Sequence, residues 1–179
     1  MKWKTKQSRF IHADQWIKLR ADSCILPNGR VVDPYYVLEY PGWVNVLAIT
    51  DDSNVILVRQ YRHGIAKVLL ELPCGSIGQG ESPEQAISRE LIEETGFAAG
   101  NLKLTGIVSP NPATHTNETF CFLAHDCKKV AEPRLDSNED IEVVLVPISN
   151  IRHLTLAGEI KQALHVASIM FGLSVLEHM

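Results

Sequence analysis

The chain has few of the features that would mark it as secreted, membrane-spanning or nucleic-acid-binding. It holds four cysteines, Cys24, Cys74, Cys121 and Cys127. None forms a C-x-x-C pair, so a zinc site is not expected. A core of this size needs no disulfides, and reduced thiols in a cytoplasmic protein are the expectation. No apolar run approaches the roughly 20 residues that span a bilayer. The segment Met1–Phe10 is polar and basic with no apolar core behind it, which argues against a secretory signal. There is no excess of positive charge. The net charge is -4, so no broad attraction to nucleic acid is expected, and an anionic substrate must be drawn in by local charges or bound cations. Repeats, low-complexity tracts and long linkers are absent as well.

What is present reads as one ordinary globular unit of 179 residues. From about Trp16 to Tyr40 the pattern predicts a pair of strands. They are joined at Leu26-Pro27-Asn28-Gly29-Arg30, where Asn-Gly tolerates positive φ. Trp43–Thr50 predicts a buried strand, Asp51–Asn54 a turn, Val55–Gln60 a returning strand, and Val68–Leu72 a short strand ended by Pro73. A helix follows, with Ser82 as its cap, Pro83 in its first turn, Gln85 completing a capping box and Gly96 ending it. Strands recur near Leu102–Val108, Thr119–Ala124 and Ile141–Pro147. The last segment, about Ala157–Leu176, predicts an amphipathic helix with Ile160, Leu164, Ala167 and Phe171 on one face. Strands and helices mix without strict alternation, so α+β or a three-layer α/β/α sandwich is the expected class.

The chemistry concentrates in Arg89-Glu90-Leu91-Ile92-Glu93-Glu94. Glu90 and Glu94 are i, i+4 neighbours and Glu90 and Glu93 are i, i+3 neighbours, so three carboxylates crowd one side of the helix and repel. Ile87 and Leu91 lie beside Glu94 on the helical wheel, which turns that edge toward the protein body. Carboxylates turned inward need a cation to offset them. Oxygen-only ligands suit Mg²⁺, or Mn²⁺, rather than zinc. Taken alone, an E-x-x-E-E run is more often a solvated acidic face.

The surroundings change that weighting. The full segment is Gly75-x5-Glu81-x7-Arg89-Glu90-Leu91-x-Glu93-Glu94-x-Gly96-Phe97. It matches every fixed position of the Nudix box, G-x5-E-x7-R-E-U-x-E-E-x-G-U with U bulky and apolar, and on these residues the chain is identified as resembling the Nudix hydrolases. The resemblance implies a loop–helix–loop in which Glu90, Glu93 and Glu94 hold metal against a diphosphate. It also implies that the residue before the first glycine, here Cys74, offers its backbone carbonyl to the metal. Arg89 would orient the glutamates and Glu81 would support the loop.

Val58-Arg59-Gln60-Tyr61-Arg62 followed by Glu71-Leu72-Pro73-Cys74-Gly75 is similar to the ADP-ribose pyrophosphatase and nucleoside diphosphate sugar hydrolase branch, whose pattern is approximately R-Q-Y/F-R, a strand, then E-x-P-A-G. Arginine suits a diphosphate because its planar fork of donors stays charged. This makes Arg62, and with less weight Arg59, candidates for substrate contact. Pro112 lies at the offset that marks this branch, but Ala113 stands where the branch usually has glycine. The loop Ser109–Glu118, which includes His115, is also unusual, which leaves a broader nucleoside diphosphate sugar open.

Water is expected to attack a phosphorus, giving a nucleoside monophosphate and a sugar phosphate. The branch's base is commonly a glutamate on a loop far after the box. Leu135–Glu142 is the matching acidic loop here. Glu139 is therefore the first candidate for the base or a supporting metal ligand, with Glu93 the alternative. Other readings are a GDP-mannose-type or nucleoside triphosphate pyrophosphohydrolase, or a non-catalytic regulator of the same fold that binds a nucleotide sugar. Such a regulator usually loses box residues, and this chain keeps them all. The zinc-binding cysteines of an NADH pyrophosphatase and the basic surface of an mRNA decapping enzyme are lacking.

Residues 1–42 read as an N-terminal strand segment and 43–179 as the hydrolase domain. The N-terminal segment is rich in strand formers, among them Trp16, Ile17, Val31, Val32, Tyr35, Tyr36 and Val37, yet too short for its own core. The branch usually dimerises through exchanged N-terminal sheets. A homodimer is therefore expected, with Arg20, Tyr36 or Tyr40 reaching a nucleotide on the neighbouring subunit.

Overall fold

The computed structural model describes residues 1–178. The chain divides into two compact units, Met1–Pro41 with Ser109–Glu118, and Gly42–Val108 with Thr119 onward.

The first unit is an antiparallel sheet of β1 (Lys4–Ala13), β2 (Lys18–Ile25) and β3 (Val31–Glu39) in that order. The β2–β3 turn closes as its residues predict. Leu26 N–H donates to Arg30 O at 2.9 Å, Gly29 N–H donates to Leu26 O at 2.9 Å, and Gly29 takes a φ of 81°. The sequence pattern predicts only this pair of strands, and the structure adds β1. Every residue of β1 is exposed. A strand held by backbone pairing alone shows no apolar periodicity, which is why the pattern passes over it. Ser109–Glu118 belongs to the same unit. Leu38 N–H donates to Thr114 O at 2.7 Å, and Thr116 N–H donates to Leu38 O at 3.1 Å.

The second unit is built on β4 (Trp43–Thr50), β5 (Asn54–Arg62), β6 (Lys67–Glu71), β7 (Cys74–Ser76), β8 (Phe97–Ala98), β9 (Asn101–Val108), β10 (Thr119–Lys129) and β11 (Ile141–Pro147). The sheet runs β11-β5-β4-β10-β8, with β6 on β5, β7 on β4 and β9 on β10. β4 and β10 are parallel and the other pairs antiparallel. On one face Val44, Val46 and Ala48 pack with Ala86, Ile87 and Leu91 of α1 (Pro83–Thr95). On the other, Leu47 and Ile49 pack with Ile151 of α2 (Ile148–Leu156) and with Ile169 and Leu173 of α3 (Ala163–Leu176). Successive residues of β4 thus serve opposite cores, as a central strand covered on both faces requires. This unit is the mixed-sheet α/β/α sandwich the sequence predicts.

The C-terminal helix departs from expectation. The pattern predicts one helix from about Ala157. Instead Ala157 caps α2, Gly158 turns the chain at a φ of 76°, and α3 begins at Ala163 behind Gln162. Its buried side is His165, Ser168, Ile169, Gly172 and Leu173, while Phe171 is exposed and Ile160 is buried outside the helix. α3 is apolar almost all round, so periodicity cannot choose its face. Close fit chooses it: a Cβ on Gly172 would lie 2.6 Å from Leu47 Cδ2.

His165 is fully buried in this helix, and burial pushes its pKa down to about 3. The unfolded chain would protonate it near the ordinary histidine value of about 6.5. Between those values the unfolded state binds more protons, so this histidine's share of stability is present above pH 6.5 and is lost as the pH falls toward 3. Urea unfolding at pH 7, 5.5 and 4 is expected to show a steeper acid loss in the native protein than in His165→Asn. The excess slope should reach at most about 1.4 kcal/mol per pH unit. Parallel losses in the two proteins would contradict this assignment.

Candidate active site

The loop–helix–loop from Gly75 to Phe97 sits in the second unit. α1 starts as its sequence dictates: Gln85 N–H donates to the Ser82 hydroxyl at 3.2 Å, and Ser82 N–H donates to Gln85 Oε1 at 2.9 Å. Gly96 ends it in the left-handed conformation, φ 77°, with its N–H on Ile92 O. Ala86, Ile87, Leu91, Glu94 and Thr95 are buried. The apolar anchors therefore fix the rotation of the helix, and that rotation carries Glu94 inward.

Arg89 gathers the acidic side chains. Its Nε and Nη2 donate to the two carboxylate oxygens of Glu81 at 2.9 and 3.0 Å. Its Nη1 donates to Glu90 Oε1 at 2.9 Å and Glu93 Oε2 at 2.8 Å, and Nη2 also reaches Ser76 O at 3.2 Å. Glu81 accepts the Gly78 N–H at 2.9 Å, which ties the loop to the helix. These bonds, Glu81's foremost, hold the Arg89 guanidinium firmly charged, and Arg89 in turn holds the Glu81 carboxyl below its ordinary value.

Glu90 and Glu94 lie deeper. The Glu94 pKa is pushed up to about 8, mainly by burial. The Cys74 N–H, donated at 3.0 Å, opposes the shift, and the negative charges of Glu90 and Glu139 reinforce it. Burial also raises Glu90, against the pull of Arg89, with Glu93 and Glu139 adding to the rise. Two carboxyls desolvated and pressed by like charges suit a hard divalent cation, which would supply the missing positive charge through oxygen ligands alone. Gly75 makes room for them. A Cβ there would lie 2.0 Å from the carboxyl carbon of Glu90. Gly75→Ala is therefore expected to displace Glu90 and to lower turnover by roughly 10²-fold, with an unchanged circular dichroism spectrum. Retained activity would show that Glu90 need not occupy this place.

The structure separates the remaining candidates. Glu139 exerts its charge on Glu90 and Glu94, and its Oε2 accepts the Asp136 N–H at 3.0 Å, which fixes it in the turn before β11. Arg62 forms a forked pair with the buried Glu71, with Nη2 2.6 Å from Oε2, and the same Nη2 lies 3.9 Å from Cys74 Sγ. Arg59 instead pairs with Glu142 at 2.6 Å on an exposed strand surface. A cavity of about 540 Å³ borders Arg62 and is lined by Trp43, His63, Leu69, Glu71 and Lys161.

In the first unit Arg20 donates to both oxygens of Asp22 at 3.1 Å and pairs with Glu39. It borders a separate cavity of about 550 Å³ with Trp16, Lys18 and Tyr40. Tyr36 is exposed, and the register pairs Arg20 with Val37, so Tyr36 and Arg20 point to opposite faces of this sheet.

Glu71 falls within the E-x-P-A-G match without a role of its own there, and His165 lies outside every motif in the sequence. Glu71, Cys74 and His165 are all buried, with one potential ligand atom from each lying within 4.8 Å of the others. Arg62 supplies the positive charge beside them. A signal for Glu71 is available, since an acidic residue in register with Val58 shares a hairpin face with Gln60 and Arg62 and is placed to pair with them. An isolated histidine in an apolar helix gives none.

Comparison with known proteins agrees with this geometry. The NUDIX domain family matches residues 40–166, and the nucleoside diphosphate sugar hydrolase N-terminal domain family matches residues 3–38. The chain is 31% identical to the ADP-ribose pyrophosphatase of Bacillus subtilis (strain 168), over 94% of this chain and 91% of that one. It is 29% identical to the ADP-ribose pyrophosphatase of Mycobacterium tuberculosis (strain ATCC 25618 / H37Rv), over 94% and 82%. A solved structure of an ADP compounds hydrolase superposes with a TM-score of 0.88, covering 99% of this chain and 96% of that one at 23% identity, a likeness of fold.

Proposed function

Because this chain belongs to the NUDIX family, we propose that it is a pyrophosphatase that hydrolyses the diphosphate linkage of nucleoside diphosphate sugars of the ADP-ribose type. The observation that carries this reading is the Arg89-centred cluster, in which one guanidinium binds Glu81, Glu90 and Glu93 beside the buried Glu94. The similarity to ADP-ribose pyrophosphatases over most of both chains supports the substrate class.

Glu90, Glu93, Glu94 and the Cys74 carbonyl would hold Mg²⁺, with Mn²⁺ a substitute. Such an ion neutralises diphosphate charge and acidifies water. Arg89 keeps the carboxylates convergent. Glu139 takes the proton from the attacking water, and Glu93 is the alternative. Arg62, at the edge of its cavity, is better placed than Arg59 to meet a substrate anion. Arg20 with Tyr40 suits a nucleotide better than Tyr36 does. For ADP-ribose the products would be AMP and ribose 5-phosphate.

The test is product analysis with Mg²⁺ over ADP-ribose, ADP-glucose, GDP-mannose, UDP-glucose and ATP. Fastest release of AMP from ADP-ribose is expected. Faster turnover of GDP-mannose or ATP would move the chain to another substrate class, and binding without turnover would make it a regulator.

We also read residues 1–42 as a dimerising segment of a homodimer in a reducing, cytoplasmic setting. Its outer strand is a full-length exposed edge, all four cysteines are free and buried, and no helix among the described residues is long and apolar enough to cross a membrane. Light scattering at working concentration is expected to give twice the 19.9 kDa chain mass. A fully active monomer would refute the dimer.

A further inference from the structure

We infer that His165 is a positioning residue for this reaction: from α3 its Nδ1 fixes the main chain of the turn that presents Cys74. The inference rests on the proposed role of the Cys74 carbonyl.

The turn runs from the end of β6 at Glu71 to the start of β7 at Cys74. Leu72 is fully buried, so its N–H has no access to water and must find an acceptor in the protein. It donates to His165 Nδ1 at 3.3 Å. Pro73 has no N–H, and its carbonyl accepts the Val46 N–H at 3.1 Å. The next donor, the Cys74 N–H, goes to Glu94. Both main-chain donors of Leu72–Cys74 are therefore taken by side chains from helices on opposite faces of the sheet, Glu94 on α1 and His165 on α3. β4 alone supplies the bond between them. Only an unprotonated Nδ1 can accept from Leu72, and the apolar setting of α3 keeps the ring neutral. The Nε2 of His165 has no hydrogen-bond partner among the described residues. A buried Nε2–H left unpaired is tolerated here alongside the bond to Leu72, whereas leucine would serve the packing but leave the buried Leu72 N–H without its acceptor.

Three variants separate positioning from packing. His165→Asn keeps an acceptor near the Nδ1 position, His165→Gln carries its amide out toward the Nε2 position, and His165→Leu fills the space with no acceptor. The readouts are Mn²⁺ binding, followed by loss of the free-ion paramagnetic resonance signal, and hydrogen exchange at the Leu72 amide. kcat and KM are measured beside them. His165→Leu is expected to weaken Mn²⁺ binding by about tenfold, as loss of a group supporting a metal ligand typically does. It should also speed Leu72 exchange and lower kcat more than it raises KM. His165→Asn should recover most of each effect. Unchanged Mn²⁺ binding and Leu72 exchange in folded His165→Leu would overturn the inference, as would equal defects in the Leu and Asn variants. If His165→Leu does not fold, the comparison passes to Asn and Gln: Asn near native with Gln weakened supports the inference, and equality overturns it. Neither binding nor exchange needs substrate. A native protein that binds Mn²⁺ yet hydrolyses no nucleotide sugar would therefore defeat the proposed function while leaving this inference to be decided by the variants.

Discussion

Glu94→Gln and Glu90→Gln are each expected to lower turnover on a nucleoside diphosphate sugar by on the order of 10²-fold or more at saturating Mg²⁺, with the fold intact. The amide keeps the shape of the side chain and removes its charge. At position 94 the Cys74 N–H can still be accepted by the amide oxygen, so the turn before β7 keeps its bond. The fold gains if anything. Glu94 is 4% exposed and its pKa is pushed up to about 8, which means that its ionised form is held against the preference of its surroundings. A neutral residue removes that cost. Glu90→Gln retains an oxygen for Arg89, and its fit against Gly75 is unchanged in volume. The expected signature is thus a melting temperature equal to or above that of the native protein, together with a large loss of rate. Near-native activity in both variants would show that these carboxylates do not hold the metal. A parallel loss of stability and activity would show that they are structural.

The parts of this site that were legible in the sequence are those whose physics is local. The cap at Ser82, the stop at Gly96 and the inward turn of Glu94 all follow from spacing along one helix, and each appears in the structure. β4 and β11 occupy the residues their patterns predict, Trp43–Thr50 and Ile141–Pro147, because mostly apolar runs, each broken by one polar residue (Asn45, Glu142) and bounded by turn residues, leave few alternatives. What escaped the sequence depends on partners distant in the chain. β1 exists through its pairing with β2 and carries no apolar pattern of its own. The face of α3 is chosen by the close approach of Gly172 to Leu47 across the core. α2 is nine residues long, and its buried Ile151 and Thr155 are too few to mark a period. Arg62 is a candidate for substrate contact in the sequence; that its guanidinium also pairs with Glu71 follows from the register of β5 with β6, which the local pattern does not fix. His165 acquires its acceptor role only once α3 lies beneath Leu72.

Glu139→Gln is expected to lower kcat by about 10²- to 10⁴-fold, the range that a positioned general base contributes, with a much smaller change in KM. The choice between Glu139 and Glu93 turns on what each carboxylate already does. Glu93 Oε2 accepts from Arg89 Nη1 at 2.8 Å, so Glu93 is committed to the cluster that keeps the glutamates convergent. Removing its charge should disturb metal holding and catalysis together. Glu139 has no arginine partner among the described residues. One of its oxygens accepts the Asp136 N–H and fixes the turn, which leaves the other for a water. Its charge nevertheless acts on both Glu90 and Glu94, the proposed metal ligands, without its being part of the Arg89 network. A base needs this arrangement, close to the ion that acidifies water yet free to accept a proton. Steady-state kinetics of Glu139→Gln and Glu93→Gln, each titrated with Mg²⁺, distinguish the two. Glu139→Gln should show a low kcat and a near-native Mg²⁺ requirement. Glu93→Gln should show a raised Mg²⁺ requirement, part of whose rate loss is recovered at high Mg²⁺. The reverse pattern would assign the base to Glu93. An unchanged rate in both would mean that water is deprotonated at this site without a dedicated carboxylate.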